Sequence, residues 1–357
     1  MKKYTILAAV ALVASAACSK VENTVVTPDQ AIAFQVANYV PQTKAGEVKF
    51  DEAKTFNTYA WFHPETGAAQ AFMADETIKW QATSKSWASD RTYFWPKTGY
   101  VNFFSYAGIP APVVTDGSAT YTDKTIAITD DALLASAAYR YSNSTANKYG
   151  LQYGADNTDV TGVPTLFHHL LSQVSVIVKF DASEISDTKN KWDLTVNTLA
   201  LNYDNKGSLT VTFTDPGSTG EAWPYAAGTV NWTPSGAYTK LDATTSVGAV
   251  QTTTAPNVSD GLTFFDAITV LPQALTDNAT IDLNYTIKHY YDGAEQIYET
   301  VDLPDIKLTD FTVEAITAWN MNYKYTYTIT VKPNSTVTFD PAVEAWEEKA
   351  AGYTITQ

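Results

Sequence analysis

The sequence predicts an all-β protein built as two tandem antiparallel β-sandwich domains. Three observations carry this expectation. Runs in which apolar and polar residues alternate recur every 8–15 residues, separated by Gly, Pro, Asn and Asp, with no sustained 3.6-residue period. Tyr (22 residues), Thr and Val are abundant, and they favour strands over helices. A chain of 357 residues is long for one compact domain and comfortable for two; 17% charged and 13% aromatic residues give it enough apolar mass for sizeable cores. The composition loosens over residues 109–163, rich in Ala, Thr, Asp, Asn and Ser, and tightens again at Pro164. That break separates a first sandwich (45–163) from a second (164–335); an export segment (1–17) and a propeptide bearing the first strand (18–44) precede them, and a tail (336–357) follows.

The first residues read as targeting rather than fold. Lys2 and Lys3 precede the apolar run "YTILAAVALVA", and "SAAC" ends at Cys18. A lone cysteine after small residues closing an export signal matches a bacterial lipobox, whose thiol is acylated and becomes the new N-terminus. Ser15 stands where a lipobox usually carries Leu, and "ASA" (14–16) also suits ordinary signal cleavage. Cys18 is the only cysteine, so neither an internal disulfide nor a thiolate zinc site can form within the chain. No later stretch has the roughly eighteen uninterrupted apolar residues of a spanning helix. The net charge of −15 opposes nucleic acid and anionic lipid. Arg91 and Arg140 are the only arginines, which leaves little for phosphate recognition.

Element by element, "AIAFQVANYV" (31–40) is a period-2 strand with Ile32, Phe34, Val36 and Val40 on one face. "EVKF" and "FNTYAWFHP" give further strands. "DRTYFWPKTGYVNFFSYAG" (90–108) reads as two strands around a Pro96–Gly99 turn, and "TDDALLASAA" (129–138) as a helical turn. "QVSVIVKF" puts Val174, Val176 and Val178 on one face. "LTVNTLALNYDNKGSLTVTF" (194–213) reads as a hairpin turning at "DNKG". "LTFFDAITVLPQ" is a strand closing on Pro272. "ATIDLNYTIKHYYDGAEQIYETVDL" (279–303) is a hairpin whose Asp292–Gly293 pair suits a type I′ turn. "NMNYKYTYTITVKP" is a long strand, and the tail adds "TVTF", a helical turn over 342–350 and "GYTITQ".

Little of this points to reaction chemistry. His168 and His169 are adjacent; on a strand they point to opposite faces and do not chelate one ion, so one is expected under the domain junction and the other in solvent. "DNTD" (156–159) and "TDD" (129–131) lack EF-hand spacing and read as solvated loop acids. There is no phosphate loop and no G-x-S-x-G, so no catalytic residue, metal or cofactor is assigned. The aromatic stretches "YAW" (59–61), "YFWP" (93–96) and "YYD" either stack on sugar rings or pack across strands.

An interaction surface remains. Burying Ile32, Phe34, Val36 and Val40 contributes roughly 6–12 kcal/mol gross. If the chain were cut after Lys44, in the polar joint "PQTKAGE", that strand would be held only by noncovalent contacts. Its loss would open an apolar groove whose backbone edges demand another strand. Lys44 is either such a protease-triggered switch or a lysine in a plain surface loop.

Together, "SAAC", "TKAGEVKFD", "YFWPKTGYVNFFSYA", "FHHLLSQVSVIV", "VLPQ" and "AWNMNYKYTYTITV" resemble the fimbrillins of type V pili, and the likeness runs through most of the chain. The resemblance implies two transthyretin-like Greek-key sandwiches, no enzyme activity, and a precursor lipidated at Cys18 and carried to the outer membrane. It implies maturation at Lys44–Ala45, where the family's familiar proteases expect Arg, with loss of the strand bearing Ile32, Phe34 and Val36. The groove is then filled by a C-terminal strand of the next subunit, here one bearing Tyr353 and Ile355. The implied partners are other pilin subunits and a host or bacterial surface ligand. The alternative is a surface lipoprotein that binds glycans or serves as a tip or anchor adhesin.

Overall fold

The computed structural model describes residues 31–39, 47–96, 99–139, 163–212, 230–310, 316–333 and 337–345. The described chain is almost entirely strand, and its ladders are antiparallel with two parallel exceptions.

In the first half the strands are β1 (Phe34–Tyr39), β2 (Glu47–Lys49), β3 (Thr55–His63), β4 (Gln70–Gln81), β5 (Ser86–Ser89), β6 (Tyr100–Ala107), β7 (Val113–Thr115), β8 (Ser118–Thr125) and β9 (Leu133–Tyr139). All of these except β7 and β8 join β10 (Val163–His169) in an eight-stranded sheet ordered β10-β9-β6-β3-β4-β5-β1-β2. Because β1 also pairs with β10, the sheet closes on itself. Phe56 and Ala60 of β3, Met73 and Ile78 of β4, Val101 and Phe103 of β6, and Phe167 of β10 fill the interior.

The second half adds β11 (Ser172–Phe180), β12 (Asn190–Asp204), β13 (Lys206–Thr212), β14 (Val230–Pro234), β15 (Tyr238–Asp242), β16 (Val250–Thr254), β17 (Leu262–Val270) and β18 (Gln273–Ala274). The chain continues through β19 (Thr280–Tyr291), β20 (Ala294–Lys307), β21 (Ala318–Trp319), β22 (Tyr323–Val331) and β23 (Val337–Ala345). One sheet, β17-β11-β22-β23, faces another, β15-β12-β19-β20 with β16 beside β12. The alternate residues Val174, Val176, Val178 and Phe180 of β11 meet Leu194, Val196, Leu199 and Leu201 of β12 in the core between them. β19 and β20 make the predicted hairpin, with positive φ at both Asp292 (51°) and Gly293 (84°).

A third sheet, β14-β13-β8-β7, draws strands from both halves. It covers the outer side of β6 and β9, where Phe104, Tyr106, Leu134, Leu209, Val211, Trp232 and Leu271 share one core. The Trp232 indole N–H donates to the Leu170 carbonyl at 2.7 Å. The break placed at 163/164 falls at the start of β10, which pairs with β1 and β9.

Four expectations give way. Residues 194–213 are a corner: β12 and β13 lie in different sheets. The Asp204 carboxylate accepts from the Lys206 amide and from the Ser235 hydroxyl and Gly236 amide, holding the chain as it crosses. A Cβ at Gly207 would meet the Thr233 carbonyl oxygen at 2.9 Å, so glycine suits this crossing. Residues 133–138 belong to a strand. Leu133 and Ala135 face the closed sheet's interior while Ala132 and Leu134 join the third core, so both faces are buried and no alternation shows. Residues 342–345 continue β23 rather than forming a helical turn. Residues 90–95 make one bridge, Phe94 to Ala31, rather than a full strand.

Candidate functional site: the first strand and the groove it fills

β1 is inserted rather than appended. Its parallel register with β10 runs from Phe34 opposite Val163 to Asn38 opposite Phe167. Antiparallel, it pairs with β5 through Phe34 and Trp87, and with β2 from Ala37 opposite Lys49 to Tyr39 opposite Glu47. The approach to the strand is also bonded: the Ile32 amide donates to the Tyr93 carbonyl and the Val163 amide to the Ala33 carbonyl, both at 2.7 Å.

Its side chains complete the core. Ile32 and Phe34 are buried, and Val36 packs partly buried beside them. The Phe34 ring meets Phe56 and Phe103 edge-on, with centroids 5.7 and 5.6 Å away. Ile32 and Phe34 together account for about 3–6 kcal/mol of gross burial. Val40 lies outside the described residues.

The far end of the groove is closed by Phe50, which is fully buried and lies 5.1–6.0 Å, centroid to centroid, from Phe167, Trp87 and Phe56. β2, just ahead of it, pairs only with β1 among the described strands. Sequence reading named the strand and missed this aromatic lining. The recurrent Phe and Trp of "FDEAKTF", "SKSW" and "LFHH" were the available signal.

Lys44 and Ala45 fall in the connection between β1 and β2, outside the described residues, as do Cys18, Tyr353 and Ile355. "TVTF" is placed in part: Val337–Phe339 begin β23, which pairs with β22 from Val331 opposite Val337 to Tyr323 opposite Ala345.

The histidine pair sits where β10 leaves the groove, and both side chains are buried, so neither meets solvent as expected. His169 lies on the face of β10 that carries the core residues Val163 and Phe167, and His168 is buried on the opposite face. His169 Nδ1 lies 2.8 Å from Asp131 Oδ1. Burial pushes His168 down to about 3, and the His169 charge adds to the effect. Among the described residues there is no group of three metal-type ligands, and no helix is long and apolar enough to cross a membrane.

The architecture is thus a closed strand barrel joined to a two-sheet sandwich, with the first strand threaded between two others. The sequence profile of the fimbrillin-like family matches residues 43–346. The chain belongs to that family, and with it to the structural, adhesion-type proteins of cell-surface fimbriae. Its fold is similar to that of a fimbrial protein from Bacteroides vulgatus, with a TM-score of 0.51 at 18% identity, covering 89% of this chain and 99% of that one. The fimbrial anchor protein Mfa2 of Porphyromonas gingivalis aligns more loosely, with a TM-score of 0.34 at 11% identity over 88% of this chain and 97% of that one. No curated protein matches the sequence.

Proposed function

We propose that this chain is a pilus subunit that polymerises by exchanging its first strand for a strand of the next subunit. The observation that supports it most is the position of β1. A segment N-terminal to the Lys44 joint supplies one wall of a closed core, and every other wall comes from residues after that joint. In this reading the precursor is acylated at Cys18 and held at the outer membrane. Cleavage of the Lys44–Ala45 bond then leaves β1 bound by ladder hydrogen bonds and the burial of Ile32, Phe34 and Val36 alone. An incoming strand with an alternating apolar face competes for the same positions. β23 is already paired at home, which favours the segment beyond Ala345, with Tyr353 and Ile355, as the donor. Those last twelve residues span about 40 Å when extended.

Cleavage would leave 19 basic and 36 acidic side chains, net −17, so filaments would repel sideways association while donor strands impose end-to-end order. The test is Lys44→Ala. The expected result is acylated monomer with no filaments; filaments of normal length from this variant would contradict the maturation step.

A further inference from the structure

Strand replacement makes no use of the outer face of β3. Asn57, Tyr59, Trp61 and His63 alternate there with the inward-facing Phe56, Thr58 and Ala60. The ring planes of Tyr59 and Trp61 lie 16° apart with centroids at 6.1 Å; Tyr106 of β6 continues the series at 6.3 Å and 25°. The third sheet covers Phe104 and Tyr106, whereas Tyr59 and Trp61, packed against the same core, stay partly exposed at its flank. On their other side β4 offers small residues: Ala71 stands opposite Trp61, and Ala71 and Ala74 are both exposed.

A bulge re-aims one acid onto this shelf. Between the Thr58–Glu76 and Ala60–Met73 pairs, β4 sets Ala74 and Asp75 against Tyr59 alone. Asp75 adopts φ 55°. Its Oδ1 accepts from the Tyr106 hydroxyl at 2.5 Å and from Asn57 Nδ2 at 3.0 Å. Both bonds fall on Oδ1, so Oδ2 accepts none from the described residues and the residue is exposed. Asn57 spends its Nδ2 on Asp75 and keeps Oδ1 as an acceptor.

Near-parallel rings beside two fixed acceptors complement a pyranose. The C–H groups of one sugar face rest on a ring, and hydroxyls at its edge donate to the acceptors. A quaternary ammonium calls instead for ring walls set at angles to one another, as in an aromatic cage. The carboxylate and the net charge of −15 both oppose anionic sugars. We propose that Tyr59, Trp61, Asp75 and Asn57 form a binding subsite for a neutral pyranose glycan. This deepens the adhesion-type reading of the chain and is independent of strand replacement.

The test is calorimetric titration of the full chain with cellohexaose, maltoheptaose and lacto-N-tetraose, with choline as the competing chemistry. At least one neutral saccharide is expected to bind, and choline is not. Trp61→Ala and Asp75→Asn should each weaken saccharide binding about tenfold or more. Asn tolerates positive φ, so the second variant keeps the bulge. Absence of binding by all three saccharides, equal binding by both variants, or binding of choline alone would overturn the proposal. Filament assembly by the same variants keeps the readings apart: lost sugar binding with normal filaments is expected. Lys44→Ala acting on filaments but not on sugar bears on strand replacement only.

Discussion

At the scale of single residues, Phe34 carries the greatest weight. It is the buried aromatic of β1, the strand that leaves under the proposed exchange, and it meets two further rings edge-on. Phe34→Ala should lower the unfolding free energy of the uncut chain by about 3–5 kcal/mol, read by chemical denaturation. His168 predicts the pH response. Its folded value, about 3, lies below the ordinary histidine value, so the unfolded chain binds the extra proton between them. Stability should therefore be full above about pH 6.5 and fall as acid is added, by about 2 kcal/mol at pH 5. Denaturation curves at stepped pH check this, and His168→Leu should flatten the dependence between pH 6.5 and 5. The burial of this pair was not legible in "FHHLL", because strand alternation assumes one wet face, whereas His168 and His169 are buried on opposite faces of β10.

At the scale of elements, legibility followed the number of faces a strand exposes. β11 and the β19–β20 hairpin stood out, since Val174, Val176 and Val178 alternate and Asp292–Gly293 fixes the turn. β9 was hidden by burial on both faces, and the β12–β13 corner by a sequence that also fits a hairpin. What separates corner from hairpin is the Asp204 carboxylate reaching Ser235 and Gly236, partners some thirty residues away that no local pattern reveals. The groove was half legible: Ile32, Phe34 and Val36 could be named, whereas the closure through β10 could not, because parallel pairing leaves no turn signal. β2 gives the prediction at this scale. Among the described strands it pairs only with β1, so amide exchange over Glu47–Lys49 should be slow in the uncut chain and fast once β1 has been displaced. Phe50, anchored among three rings, should stay protected in both states. Continued protection of Glu47–Lys49 after β1 is lost would show that another strand has taken up their pairing.

At the scale of the whole molecule, the third sheet joins the halves through β8 and β13 and buries Trp232 and Leu271 beneath both. Under the proposed exchange the part that opens is the far wall of the first barrel, where β1 lies between β5 and β10, while the β8–β13 pairing that joins the halves stays in place. The most direct test of strand replacement is the intact mass of the protein in sheared surface filaments and in the membrane fraction. The account predicts chains beginning at Ala45 in filaments and chains beginning at acylated Cys18 in membranes. Filaments built from chains that still begin at Cys18 would show that β1 never leaves, and would contradict it.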